Sequence, residues 1–170
     1  METLNTPRLR LEPVTPALAQ AARAGQAVFA EMIGAAAPAD WCAASLGLVA
    51  RSTPDPAPMR VVAIHREAGE VVGDVRFEAL PHAVARGLRE YEIGYGVARQ
   101  RRRQGYAVEA AGAVVDWLFE QGVDAVWAGC DAHNLASVRT LSRLGFQLDS
   151  TPGRTFWWVM DATGHMSSRA

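Results

Sequence analysis

Arg99, Arg101, Arg102 and Arg103 stand just ahead of Gly105, where a β-like run from Tyr91 to Val97 gives way to an amphipathic helical pattern. Those residue types in that order suit the binding of an anion. A glycine at a helix start lets the backbone come close to a ligand, and the first-turn N–H groups have no intrahelical acceptor. The positive end of the helix dipole and the arginines add to the same preference, so a phosphate-bearing ligand is the first chemistry expected. The plainer alternative is a solvated basic face.

A second strand-to-helix junction runs from the apolar stretch Ala125 to Cys130 into Asn134 to Phe146. Asn134 is placed to cap that helix, Val138, Leu141 and Leu144 share one face, and Gly145 can end it in the left-handed region. Taken singly this is an ordinary capped helix. Two such units in tandem set strand C-termini against helix N-termini, and ligands of open α/β sheets sit in crevices of that kind.

The elements that must position these motifs follow from patterning. Arg8 to Val14 alternates as a strand ended by prolines; residues 17 to about 33 and 39 to 52 are alanine-rich and predict two helices split by Gly34 to Pro38. Prolines 54, 56 and 58 mark a loop. Met59 to His65 and Val71 to Ala79 predict a hairpin, and Pro81 to Gly87 connects it to a strand from Leu88 to Val97. A helix over 104 to 121, a strand over 125 to 130, a helix over 134 to 144 and strands near 146 to 150 and 155 to 160 complete the order. The result is an α/β layering with a mixed sheet. A single domain is expected over 1–170, its core spanning about 6–161, with a polar, mobile tail over 162–170.

Composition narrows the partners. A formal charge of −1 on 170 residues makes the arginine cluster a local patch and argues against nucleic-acid or anionic-membrane binding. No apolar run is long enough to span a bilayer and the N-terminus lacks the pattern of a leader, so a cytoplasmic protein is expected. Cys42 and Cys130 are too few for a disulfide framework, and His65, His82, His133 and His165 form no ligand-spaced set. No metal is expected.

Arg102, Arg103, Gln104, Gly105, Tyr106 and Ala107 match the Arg/Gln-x-x-Gly-x-Gly/Ala signature of the GNAT superfamily of N-acetyltransferases, and Asn134 to Phe146 is similar to its second, Asn-x-x-Ser…Gly-Phe segment. Thr6 to Pro13, Tyr91 to Tyr95 and Gly105 to Ala110 resemble the ribosomal-protein N-terminal (RimJ/RimL-type) branch. The likeness implies a GNAT fold: a mixed central sheet with a splayed cofactor-binding crevice and flanking helices. It also implies acetyl-CoA as cosubstrate. On the family pattern, backbone N–H groups across Arg102 to Ala107 take the pyrophosphate, Val97 pairs with pantetheine, and Asn134 and Arg143 belong to the cofactor side. Gly94 and Gly96 fit a splayed or bulged strand end that leaves backbone groups free.

The implied reaction is acetyl transfer to a primary amine, a small molecule or a protein N-terminus, by direct attack in a ternary complex. An alkylammonium is less than about one part in a thousand neutral at pH 7, so a positioned base matters. Glu92 corresponds to a glutamate that this branch carries and sometimes uses as base; with Glu90 on the same side it could instead attract a cationic substrate. Many relatives place a proton-donating tyrosine where this chain has Leu141, and Ser137 is the remaining candidate donor to sulfur unless it bonds back to its own helix. Glu109 is expected to satisfy backbone donors. Phe29, Met32 and Trp41 either line the acceptor side or form ordinary core. The alternative to an enzyme is a noncatalytic acyl-CoA-binding module, and exposure of Trp157 or Trp158 on the last strand would mark a homodimer contact.

Overall fold

The computed structural model describes residues 1–39, 41 and 59–168. The expected helix over 39 to 52 and the proline loop after it lie almost wholly outside the described residues. Two short strands open the chain, β1 (Leu4–Asn5) and β2 (Leu9–Pro13), followed by helices α1 (Pro16–Ala24) and α2 (Gln26–Ile33). The hairpin β3 (Met59–His65) and β4 (Glu70–Ala79), a helical turn α3 (Pro81–Val84) and β5 (Glu90–Val97) come next. Then follow α4 (Tyr106–Glu120), β6 (Ala125–Asp131), α5 (Leu135–Leu144), β7 (Gln147–Ser150), β8 (Thr155–Asp161) and α6 (Ala162–Ser168).

Eight strands form one sheet in the order β1-β2-β3-β4-β5-β6-β8-β7. Neighbours pair antiparallel except β5 and β6, which run parallel. The mixed α/β architecture expected from the patterning is therefore present. Alternation along the strands sends Val61 and Ala63 into one core and Val62 and Ile64 into another. The first core packs beneath α4 and α5 and includes Ile93, Val114, Leu118 and Leu141; the second joins Leu18 and Phe29 of α1 and α2 to the opposite face.

Helix starts and stops have local causes. Thr15 caps α1, its hydroxyl accepting from the Leu18 N–H at 3.2 Å, with Pro16 in the first turn where a missing N–H costs nothing. The single helix expected over 17 to 33 is broken, because Gly25 adopts φ 144, closing α1 through its N–H and opening α2 through its carbonyl. In α4 the buried positions Tyr106, Ala110, Ala111, Val114, Val115 and Leu118 form one stripe at helical spacing. Where polarity suggested a mobile tail, the chain forms α6, with His165 bonded to Asp116 at 2.7 Å and stacked on Phe119.

Glycine is obligatory at Gly73, since a Cβ there would lie 2.1 Å from the Gly96 carbonyl oxygen. β5 shows no bulge against β4, but its end splays from β6 after Glu92; the register shifts lie between Ala63 and Ile64, where β3 meets β4, and between Leu148 and Ser150, where β7 meets β8.

Candidate functional site

β5 and β6 are joined through only three residue pairs, Glu90 with Ala125, Tyr91 with Val126 and Glu92 with Trp127. Beyond Glu92 the two strands part. On its other side β5 stays paired with β4 as far as Val97, and the Ala98 N–H reaches the Val72 carbonyl at 2.9 Å. Backbone groups alternate along a strand, so those of Ile93, Tyr95 and Val97 point into the gap. A cleft of about 300 Å³ fills it, lined by Ile93, Gly94 and Tyr95 on one side and by Ala128 to Asp131 on the other. Asn134, Ser137 and Leu141 of α5 close one end, and Arg76 of β4 reaches in from the opposite face.

The glycine loop stands at the β5 end of this gap. Gly105 adopts φ 85 directly before α4 and Arg103 adopts φ 61, so two left-handed residues turn the chain sharply. No side chain caps the helix, and its first internal bond is Glu109 N–H to the Gly105 carbonyl at 3.1 Å. The N–H groups of Tyr106, Ala107 and Val108 therefore have no intrahelical acceptor, which is the arrangement an anion needs. Gln104 and Gly105 are exposed, while the Tyr106 ring is buried beneath the Arg8 guanidinium, 4.6 Å from the ring centre.

The arginines divide into different tasks. Arg101 forms an ion pair with Glu70 and ties the turn to β4; Arg102 donates to the Val97 carbonyl at 3.1 Å. The Val97 carbonyl that a pantetheine amide would use is thus already held by a side chain. Arg99, Arg103 and Arg143 are exposed. Glu109 fastens the loop from behind: it accepts from the Thr6 hydroxyl at 2.6 Å, from the Arg8 N–H at 2.8 Å and from the Arg8 guanidinium at 2.7 Å. Burial works to raise its pKa and is outweighed by these donors, so the carboxyl lies below its ordinary range.

Glu109→Gln is expected to lower stability by about 2–3 kcal/mol at pH 7, the scale of hydrogen bonds to a charged group. The sign with pH follows from the depressed folded pKa. The contribution is complete above the ordinary glutamate pKa and is lost as pH falls through the folded value. Urea unfolding at pH 7 and pH 3 should show the gap between variant and wild type closing at the lower pH.

Glu92 and Ser137 occupy opposite faces of the sheet. Ile93 packs into the core beneath α4, so Glu92, one residue earlier, projects to the α1–α2 face at the fork. Burial pushes its carboxyl up, Arg76 pulls it down and Glu78 pushes it up again, leaving it above the ordinary range. Glu90 accepts from the Trp127 indole at 3.0 Å. Ser137 lines the cleft from α5, its N–H capped by Asn134 Oδ1 at 3.2 Å. The back-bond weighed for Ser137 is made instead by Thr140, whose hydroxyl donates to the Ala136 carbonyl at 2.9 Å. Phe29 and Trp41 are core residues, with rings 5.4 Å apart, and Met32 is exposed. Trp158 is buried and Trp157 half-buried over Gly129, so neither supplies the exposed surface that would mark a dimer contact.

The model of the GNAT acetyltransferase domain matches residues 8–147. The chain belongs to this family. Two relatives from Bacillus subtilis (strain 168) carry the names of uncharacterized N-acetyltransferases. YjdG is 32% identical over 99 residues, covering 58% of this chain and 56% of its own, and YoaA is 35% identical over 83 residues, covering 48% and 45%. The chain spans about half the length of these relatives. Among solved structures, RimL, a ribosomal L7/L12 alpha-N-protein acetyltransferase in complex with coenzyme A, superposes with a TM-score of 0.66 at 15% identity, over 94% of this chain and 98% of its own. A GNAT-family acetyltransferase from Bacillus anthracis gives 0.64 at 17% identity, over 94% and 98%. These structural likenesses share the GNAT fold.

Tyr95 and Cys130, like Arg76, line the cleft without having been given a part there from the GNAT sequence. Tyr95 donates to the Ser137 carbonyl at 3.3 Å, and burial pushes its pKa up to about 12, so its hydroxyl stays protonated at neutral pH. Its signal was the aromatic set between Gly94 and Gly96. Cys130 lies across the gap, and burial pushes its thiol up as well. A nucleophilic cysteine needs the reverse shift. Cys130→Ala should therefore keep most of its turnover, and intact-mass measurement of the wild type with acetyl-CoA alone should show no acetyl adduct. Among the described residues no cluster of His, Cys, Asp or Glu is placed to hold a metal, and no helix is long and apolar enough to cross a membrane.

Proposed function

We propose that the protein is an acetyl-CoA-dependent N-acetyltransferase that acetylates a primary amine in a ternary complex. The observation that carries this reading is the fork at Glu92, where β5 and β6 part beside a helix N-terminus with unpaired donors. The residues present fit the cosubstrate. The first-turn N–H groups of α4 and the loop from Arg102 to Ala107 would hold its pyrophosphate, and the backbone edge at Ile93 and Tyr95, with the Val97 N–H, would take pantetheine. When bound, acetyl-CoA supplies the acetyl thioester.

The remaining work falls to side chains on either face of the gap. Glu92 receives the proton of an amine arriving from the α1–α2 side. Burial raises its pKa above that of an ordinary carboxylate, a shift in the direction that suits a general base. Ser137, on the α5 side, offers a hydroxyl to the departing sulfur, and Tyr95 supports the backbone of that same turn. Asp74, Glu78, Glu90 and Glu92 bias the acceptor face toward a cation, which suits a small amine or a protein N-terminus alike.

Thiol release from acetyl-CoA, measured over a panel of small amines and N-terminal peptides, tests this. Amine-dependent release with the mass of an N-acetyl product is expected. Acetyl-CoA binding without release for any amine would identify a noncatalytic acyl-CoA module instead.

A further inference from the structure

Among the residues that line the cleft, Arg76 is the cation, and acetyl transfer as proposed leaves it without a task. It stands on β4 opposite Gly94, and its side chain lies flat across that glycine. A Cβ at Gly94 would come within 2.6 Å of Arg76 Nε and 3.2 Å of Cζ. Laid down this way, the guanidinium meets Glu78 Oε1 at 3.1 Å and Glu92 Oε1 at 3.6 Å. The surrounding charges are mostly negative. Glu90 lies beside Glu92 on β5, held by Trp127; Asp131 lines the cleft from β6, paired with Arg154 at 3.1 Å; Asp74 is paired with Arg60 at 3.5 Å. Arg76 is nearly half exposed, with 47% of its side chain open to solvent, so the pair is reachable and is not locked in a core.

An alkylammonium on its way to Glu92 needs the same two carboxylates. We propose that Arg76 is an internal stand-in for the acceptor: its guanidinium occupies the ammonium subsite between Glu78 and Glu92, and the incoming amine must displace it. This rests on Glu92 facing the acceptor, as proposed above. The arrangement has a selective consequence. A tethered cation competes at high effective concentration, so an amine with no further contacts is turned away, and an acceptor that engages the site beyond its ammonium is favoured. The same contact opposes the rise that burial imposes on the Glu92 carboxyl.

The test uses the full chain labelled with ¹³C at glutamate carboxyls, the Glu92 resonance being assigned by its loss in Glu92→Gln. n-Butylammonium serves as the probe cation. In wild type it should move the Glu92 resonance only weakly. In Arg76→Ala it should bind about two- to fivefold more tightly, the scale of a partly exposed ion pair, and Glu92 should titrate at higher pH. Gly94→Ala keeps the charge but pushes the guanidinium off its seat, and should reproduce the change in direction. Equal binding in wild type and Arg76→Ala, or weaker binding in the variant, overturns the proposal; the weaker result would mean that Arg76 anchors the ligand. With any amine that the protein acetylates, Arg76→Ala should lower KM for the amine and leave KM for acetyl-CoA unchanged, whereas a purely structural role would harm both. If Glu92→Gln keeps full turnover, the assignment of Glu92 as base fails separately, while the butylammonium titration still decides the place of Arg76.

Discussion

Gly105→Asp is expected to abolish the thermal stabilisation that acetyl-CoA gives the wild type. At a hundredfold excess over Kd, a ligand that binds only the native state adds about 2.7 kcal/mol, or roughly 5–10 °C in Tm for a domain of this size. The variant removes it twice over. Its carboxylate faces the first-turn N–H groups that would otherwise meet the pyrophosphate, and its Cβ must sit at φ 85, 3.3 Å from Arg8 Nη2. Backbone strain by itself is controlled with Gly153→Asp, which also occupies a left-handed position, φ 62, with nothing near its Cβ. That second variant should lose intrinsic stability yet keep the full ligand response. A folded Gly105→Asp protein with an unchanged acetyl-CoA shift would place the phosphate site elsewhere.

How far the sequence foretold this site depends on the range of the interactions concerned. The caps of α5 were legible because Asn134 and Gly145 act within one turn, and α4 was legible because its apolar stripe repeats at helical spacing. Glu109 was expected to satisfy backbone donors, and it does accept from the Arg8 N–H, but its donors, Thr6 and Arg8, lie about a hundred residues away in the chain and no local pattern names them. The fork was only partly legible from the residues themselves. Gly94 and Gly96 fit a splayed or bulged strand end, but they do not say which neighbour the strand leaves; β5 and β6 share three residue pairs while β6 continues beside β8. The resemblance implied a splay, and only the pairing shows where it begins. For the same reason Arg76 went unnoticed: its seat over Gly94 depends on the β4–β5 register, which alternation fixes only to within a shift of two. Arg102 is a further case, since a basic residue beside a glycine loop reads as an anion contact until the Val97 carbonyl is found to hold it.

Glu92→Gln should cost more turnover than Ser137→Ala, on the order of a hundredfold against tenfold, because the two proton transfers differ in difficulty. A thiol of pKa near 8.5 leaves tolerably without help, whereas an amine of pKa near 10.4 must lose a proton before it can attack. The pH profiles separate the two roles. In wild type the acidic limb of kcat/KM should lie above the ordinary glutamate range, as burial of Glu92 dictates, and Arg76→Ala should move it higher still. In Glu92→Gln that limb should disappear, and activity should climb with pH as solution supplies neutral amine. Ser137→Ala should gain less from the same rise, since its defect lies on the sulfur side of the gap. Equal and small losses in both variants, with profiles like that of wild type, would leave positioning of the two substrates in the fork as the main source of rate.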